Sequence, residues 1–138
     1  GRFEAGAVIN TVVARHDDVY GLSELEFSAG IFRIPQTSVI PGKSVRLRVR
    51  ARDVSLSLEK PISTSVLNVF EGVVKEIGEI GDAPQVDILV DIGVSLIARI
   101  THRSVVELEL SPGKPVYAMI KAAAIDRRNI GYTKTQAP

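Results

Sequence analysis

Pro41-Gly42-Lys43-Ser44-Val45-Arg46-Leu47-Arg48-Val49-Arg50-Ala51 has a second copy in Pro112-Gly113-Lys114-Pro115-Val116-Tyr117-Ala118-Met119-Ile120-Lys121-Ala122. Each copy reads as a tight turn followed by an alternating strand. In the first, Val45, Leu47 and Val49 take one face and Arg46, Arg48 and Arg50 the other, the period-two pattern of a half-buried strand. Self-similarity at this distance organises the chain better than composition does.

Working outward, the repeat extends upstream. Ile31-Phe32-Arg33-Ile34 precedes the first turn, and Ile97-Ala98-Arg99-Ile100 precedes the second. Ala7 to Arg15 and Phe70 to Ile77 are comparable strands earlier still, each leading through a loop to another strand. Ser28-Ala29-Gly30 and Asp91-Ile92-Gly93 are the expected hairpin turns. The reading is all-β, with two tandem barrel-like halves. Residues 1–60 form the first half, residues 61–130 the second, and 131–138 a tail. The join is placed at Lys60-Pro61-Ile62-Ser63, where Pro61 disfavours continued pairing, and the stretch from Arg127 onward has no periodicity and is expected to fray. The halves differ between strand and turn: six residues separate Ile34 from Pro41, and eleven separate Ile100 from Pro112. The extra length holds Ser104-Val105-Val106-Glu107-Leu108, which fits a capping box with Ser104 as N-cap and Glu107 three positions on. One short helix is therefore expected, in the second half only.

Composition excludes several classes of function. With 138 residues the chain suffices for one ordinary domain or two small ones sharing a core. There is no cysteine, so disulfide frameworks and thiolate metal sites are out. Seventeen basic and sixteen acidic side chains nearly balance, whereas a nucleic-acid binder carries a basic excess. No apolar run reaches the ~20 residues of a membrane-spanning helix, and no signal peptide opens the chain. The start at Gly1 suggests part of a longer protein.

A catalytic constellation does not assemble. His16-Asp17-Asp18 lacks a second cluster at ligand spacing, so both His16 and His102 read as solvated loop residues. Gly42-Lys43-Ser44 resembles the end of a P-loop, but the required earlier glycine is Thr37 and strands flank the motif on both sides. The chain is accordingly not expected to be an enzyme. Three segments do suit an anion. Thr64-Ser65-Val66-Leu67-Asn68 is a hydroxyl-rich strand start. Thr101-His102-Arg103-Ser104 lies at the helix start, where backbone N–H groups favour negative charge. Lys121-Ala122-Ala123 places a cation among small residues. Read without a ligand, the same segments are a strand cap, a helix cap and a surface lysine.

These segments carry a family resemblance. Thr64-Ser65-Val66-Leu67-Asn68-Val69-Phe70-Glu71-Gly72 resembles the opening of the molybdopterin-binding-protein-like (Mop) domain, which begins Ser-Ala-Arg-Asn, then a hydrophobic pair and Gly. Ala98-Arg99-Ile100-Thr101-His102-Arg103-Ser104 with Glu107-Leu108 and Pro112-Gly113 resembles its central segment, and Ala118-Met119-Ile120-Lys121-Ala122 its closing strand. Arg50-Ala51-Arg52-Asp53-Val54-Ser55-Leu56 is similar to the stretch preceding this domain in the regulatory (Mop/TOBE-type) region of molybdate-import ABC transporter ATP-binding subunits. The resemblance implies OB-like β-barrels that associate in pairs, with molybdate or tungstate as ligand where barrels meet and no further cofactor. It implies Thr64, Ser65, Thr101, Ser104, Lys121 and Ala122 as oxyanion-binding residues. Leu67 stands where the family has Arg, removing one guanidinium from the implied contacts.

The function so implied is a cytoplasmic sensor of intracellular oxyanion at the inner face of the cell membrane. Its partners would be a second copy and the transporter's nucleotide-binding and membrane subunits. The alternatives are a small intracellular molybdate storage protein, and a dimerisation domain that has lost its ligand. An OB-type nucleic-acid binder would need exposed aromatics for stacking. Most of the chain's few aromatics fall in strand patterns, leaving the Arg46, Arg48 and Arg50 face as that idea's support; no nucleic-acid partner is expected.

Overall fold

Each copy of the repeat folds into four antiparallel strands, and each set is completed by a short strand from elsewhere in the chain. The computed structural model describes residues 5–131. In the first sheet lie β1 (Gly6–Asp17), β2 (Leu22–Phe27), β3 (Gly30–Pro35) and β4 (Ser44–Arg50). In the second lie β6 (Asn68–Ile77), β7 (Gln85–Asp91), β8 (Ser95–Thr101) and β9 (Pro115–Ile120). The two remaining strands cross over. β5 (Ser55–Ser57) pairs with β9, Leu56 opposite Ala118, and β10 (Ile130–Gly131) pairs with β4, Ile130 opposite Leu47. The sheet orders are β10-β4-β1-β2-β3 and β5-β9-β6-β7-β8.

The repeat is repeated in hydrogen bonds. Gly42 and Gly113 adopt φ of 91° and 94° in the two Pro-Gly-Lys turns, a conformation that glycine takes without a Cβ clash. Gly42 N–H donates to the Val13 carbonyl (2.8 Å) and Val13 N–H to that of Lys43 (2.9 Å). Gly113, Val74 and Lys114 repeat the arrangement at 2.8 and 2.9 Å. Each long strand also shifts register just after this clasp, between Val13 and Arg15 and between Val74 and Glu76. Such a bulge bends the strand and lets a five-stranded sheet coil toward a barrel.

Core residues follow the predicted alternation. Val45, Leu47 and Val49 are buried, while Arg46 and Arg48 are exposed. The two halves share their interior through Phe27, Phe32 and Phe70: the Phe70 ring lies 5.3 Å from Phe27, edge-on, and 5.4 Å from Phe32. Rings packed on one another in this way are not presented to nucleotide bases.

Four expectations change. Crossing to the second sheet happens ahead of Pro61, at the 3₁₀ turn Ala51–Asp53, whose Ala51 is fully buried. Residues 127–131 are ordered into a 3₁₀ turn, Arg127–Asn129, and β10. Asp126 caps that turn by accepting from Arg128 N–H (2.9 Å), and the buried Asn129 side chain accepts from Asp126 N–H (2.9 Å). The rest of the expected tail, 132–138, lies outside the described residues. The helix α1 (His102–Glu107) starts a turn earlier than a Ser104 cap would place it, with Thr101 as N-cap. Glu107 accordingly pairs with Arg103 (2.8 Å). Finally, His16 is in β1 and not in a solvated loop. Thr37 N–H donates to Ser23 Oγ (3.0 Å), which lies 2.8 Å from His16 Nδ1, and His16 Nε2 lies 2.8 Å from the Val39 carbonyl. A carbonyl can only accept, so Nε2 carries a proton, and Nδ1 shares its hydrogen bond with the Ser23 hydroxyl. The ring fastens the loop after β3 to β1 and β2.

Candidate functional site

The start of β6 and the end of β9 are brought side by side by their pairing, Asn68 opposite Ile120. This sets Thr64, Ser65, Lys121 and Ala122 at one end of the second sheet. Thr64 Oγ1 accepts from Val66 N–H (3.2 Å), which shapes the approach, and Ser63 just before it sits at φ 51°, an uncommon conformation for a non-glycine residue. Thr64 and Ser65 are exposed. Lys121 leaves β9 in an extended conformation and precedes the 3₁₀ turn Ala122–Ala124, whose N–H groups at Ala124 and Ile125 bond back to the carbonyls of Lys121 (3.1 Å) and Ala122 (3.1 Å). Ala122 is buried, so the backbone there can take no larger side chain without rearrangement.

Beside them lies a cleft of about 260 Å³, lined by Arg52, Asp53, Ser55, Val66, Met119 and Lys121 among others. Its carboxylate, Asp53, is committed to Arg50 at 2.7 Å. The Lys121 ammonium, the Arg52 guanidinium and the Ser55 hydroxyl therefore give the cleft a positive character with donors in excess of acceptors. That donor set can hold a small oxyanion by charge-assisted hydrogen bonds. It contains no paired acid and base, and among the described residues there is no group of His, Cys, Asp and Glu that could hold a metal ion.

Thr101 and Ser104 lie elsewhere. Thr101 pairs with Gln85 at the start of β7, beside the far end of β6, where Ile77 opposes Ile88. By strand register Thr101 and Ser104 do not adjoin Thr64, Ser65, Lys121 and Ala122 within the sheet, where β8 lies three strands from β9. The pair is also partly occupied with itself: Thr101 Oγ1 accepts from Ser104 N–H (3.1 Å) and donates to Ser104 Oγ (3.0 Å). His102 N–H donates to the Pro84 carbonyl (2.8 Å), so two of the N–H groups at this helix start already have acceptors.

Leu67, just ahead of β6, is 44% exposed and is not part of the core. Its neighbour Asn68 is the polar residue that sequence reasoning passed over. Asn68 is 1% exposed; its Nδ2 donates to the Arg33 carbonyl (2.8 Å) and its Oδ1 accepts from Arg33 N–H (2.7 Å). A side-chain amide thereby stands in for a strand partner at the edge of β3 and joins the two halves beside the cleft. An isolated Asn at the head of an apolar run was the available signal. The cationic lining supplied by Arg52 was also missed, since a residue just past a strand end carries no periodic signature.

Residues 64–126 match the family described as TOBE domain. The chain is 41% identical over 131 residues, 94% of its length, to the molybdenum import ATP-binding protein ModC of Mesorhizobium japonicum. It is 42% identical over 123 residues, 88% of its length, to molybdenum import ATP-binding protein ModC 1 of Azotobacter vinelandii. It spans about a third of the length of these relatives, 35% and 34% respectively. The fold is that of the cytoplasmic molybdate-binding protein ModG, solved with molybdate bound, at a TM-score of 0.75 and 23% identity over 92% of this chain and 96% of that one. The second half of the chain thus matches the TOBE-domain family, and nearly the whole chain is similar to molybdenum-import ATP-binding proteins.

Proposed function

We propose that this chain is the regulatory region of a molybdate importer's ATP-binding subunit, binding molybdate or tungstate on the cytoplasmic side of the membrane and altering transport in response. The observation that carries the reading is the 41% identity to a molybdenum import ATP-binding protein over 94% of the chain, in a fold whose second sheet ends in a donor-rich cationic cleft. On this reading the oxyanion is held by Lys121 with backbone and hydroxyl donors from Thr64, Ser65 and Ala122. Thr101 and Ser104, at the other end of β6, serve a second chain. Two copies meeting across their barrels would complete each site with one group from each, so the module works as a homodimer. Exposed apolar side chains on the outer strand faces, Val8 and Val12 of β1 and Val73 of β6, suit such an interface. Its remaining partners are the transporter's nucleotide-binding and membrane subunits, at the inner face of the cell membrane.

Calorimetric titration with molybdate, tungstate and sulfate tests binding. Heat with the first two is expected, and no response at millimolar concentration leaves a dimerisation domain without ligand in front. A storage role is the second reading; the chain shares its fold with a cytoplasmic molybdate-binding protein over 96% of that protein's chain. Regulation and storage separate in a reconstituted transporter: a regulator changes ATP hydrolysis when molybdate is added, and Lys121→Ala abolishes the change.

A further inference from the structure

The arginine face of β4, which the oxyanion reading does not use, opens onto a second cleft. This one has a volume of about 390 Å³ and is lined by Arg48, Arg50, Arg52, Arg99, Arg128 and Asp126, among others. Five arginines line it from four places in the chain: β4, the following 3₁₀ turn, β8 of the second sheet, and the segment returning to the first sheet. Three of them are held in place by carboxylates. Arg50 bonds Asp53 at 2.7 Å, Arg99 bonds both oxygens of Asp87 at 2.8 and 3.2 Å, and Arg128 bonds Asp126 at 2.9 Å. Arg48 and Arg52 have no carboxylate partner among the described residues. Among the described residues two positive charges thus lack a carboxylate partner here, that of Arg52 shared with the cleft beside Lys121, in a chain whose overall charge is only +1. Gathering like charges costs free energy, and folds retain such local conflicts at sites that bind something.

We propose that this cleft binds a compact polyphosphate, either inorganic pyrophosphate or the phosphate tail of a nucleoside di- or triphosphate. Guanidinium forks match phosphate oxygens bidentately, and several of them in a row suit linked phosphates better than one tetrahedral anion. The volume falls in the small-molecule range, roughly 300–1,000 Å³. None of the described residues lining the cleft is aromatic, so they offer no platform on which a nucleic-acid base would stack. The polyphosphate would bridge β4 to β8 and so clamp the first sheet to the second.

The test uses the full chain at low ionic strength. Pyrophosphate and ATP each raise the melting temperature and bind at one site per chain. Sulfate at matched ionic strength binds at least tenfold more weakly. Pyrophosphate binding without ATP assigns the cleft to the free anion, and tighter binding of ATP assigns it to nucleotides; both uphold the proposal. Arg48→Ala combined with Arg52→Ala weakens pyrophosphate binding at least tenfold and leaves the free protein as stable or more so, because like charges are removed. Arg48→Ala alone leaves molybdate affinity unchanged, which separates this site from the oxyanion site. Sulfate matching pyrophosphate, or full pyrophosphate affinity in the double variant, overturns the proposal. So does the absence of any response to phosphates, which would turn the cleft toward an acidic protein surface.

Discussion

Replacing Asn68 by alanine should be among the most damaging single changes to this protein, although the residue touches no proposed ligand. The side chain makes two hydrogen bonds to the Arg33 backbone, at 2.7 and 2.8 Å, and is 1% exposed. Each is worth about 1 kcal/mol net, and a stranded backbone partner adds part of its desolvation cost, roughly 1–3 kcal/mol when fully buried. Arg33 is half-buried and water reaches it in part, so the expected loss is about 2–3 kcal/mol. For a chain of this size that is on the order of 8–12 °C in melting temperature. Asn68→Asp should be worse. It keeps an acceptor for Arg33 N–H but turns a carboxylate oxygen toward the Arg33 carbonyl and buries a charge. Urea unfolding followed by far-ultraviolet circular dichroism gives the energies, and hydrogen exchange at the Arg33 amide reports the bond itself. If Asn68→Ala stays within about 0.5 kcal/mol of wild type and the Arg33 amide remains protected, the amide is not what couples the halves.

Leu67→Arg should leave stability within about 0.5 kcal/mol, because the side chain is 44% exposed, and should tighten molybdate binding by about 1–3 kcal/mol; calorimetry and a melting curve on one sample check both. Lys121→Ala should cost about 1.5–3 kcal/mol of molybdate affinity with little change in stability, and unchanged affinity would place the anion elsewhere. Glu109 follows α1 at φ 50°, where glycine is favoured, so Glu109→Gly should stabilise by about 0.5–1 kcal/mol in urea unfolding. Arg128, chiefly through its side-chain hydrogen bond, holds the Asp126 carboxyl below its ordinary value. A depressed carboxyl contributes stability above the unfolded value of about 3.9 and loses it as pH falls through the folded value. Asp126→Asn should therefore flatten the acid limb of the stability profile below about pH 4, measured by urea unfolding at several pH values.

The all-β class, the tandem repeat and the single helix were legible because hydrophobic alternation and turn glycines are local properties. Val45, Leu47 and Val49 point inward because every second residue of a strand must. The helix boundary was misplaced because Thr101 and Ser104 are both competent caps, and only the pairing of Thr101 with Gln85 fixes where β8 ends. His16 looked solvated because its partners, Ser23 and Val39, are brought to it by the hairpin and the following loop. The candidate site was readable as a set of donors but not as a place, since the two groups of donors are sorted by strand register. The arginine cleft was half visible in the alternation of β4, and Arg99 and Arg128 join it only through tertiary folding.

The crossed strands β5 and β10 set where the chain can be cut. Each sequence repeat surrenders a strand to the other's sheet, so neither repeat is a self-sufficient folding unit. A break at Pro61 would strand Ser55–Ser57 on the wrong fragment and bare the edge of β9, and removal of Ile130–Gly131 would bare the edge of β4. Bared edges are templates for aggregation. A gene segment trimmed to the matched residues 64–126 would lack β5, so a soluble second barrel has to begin no later than Ser55, and the first barrel has to borrow the chain's far end to close.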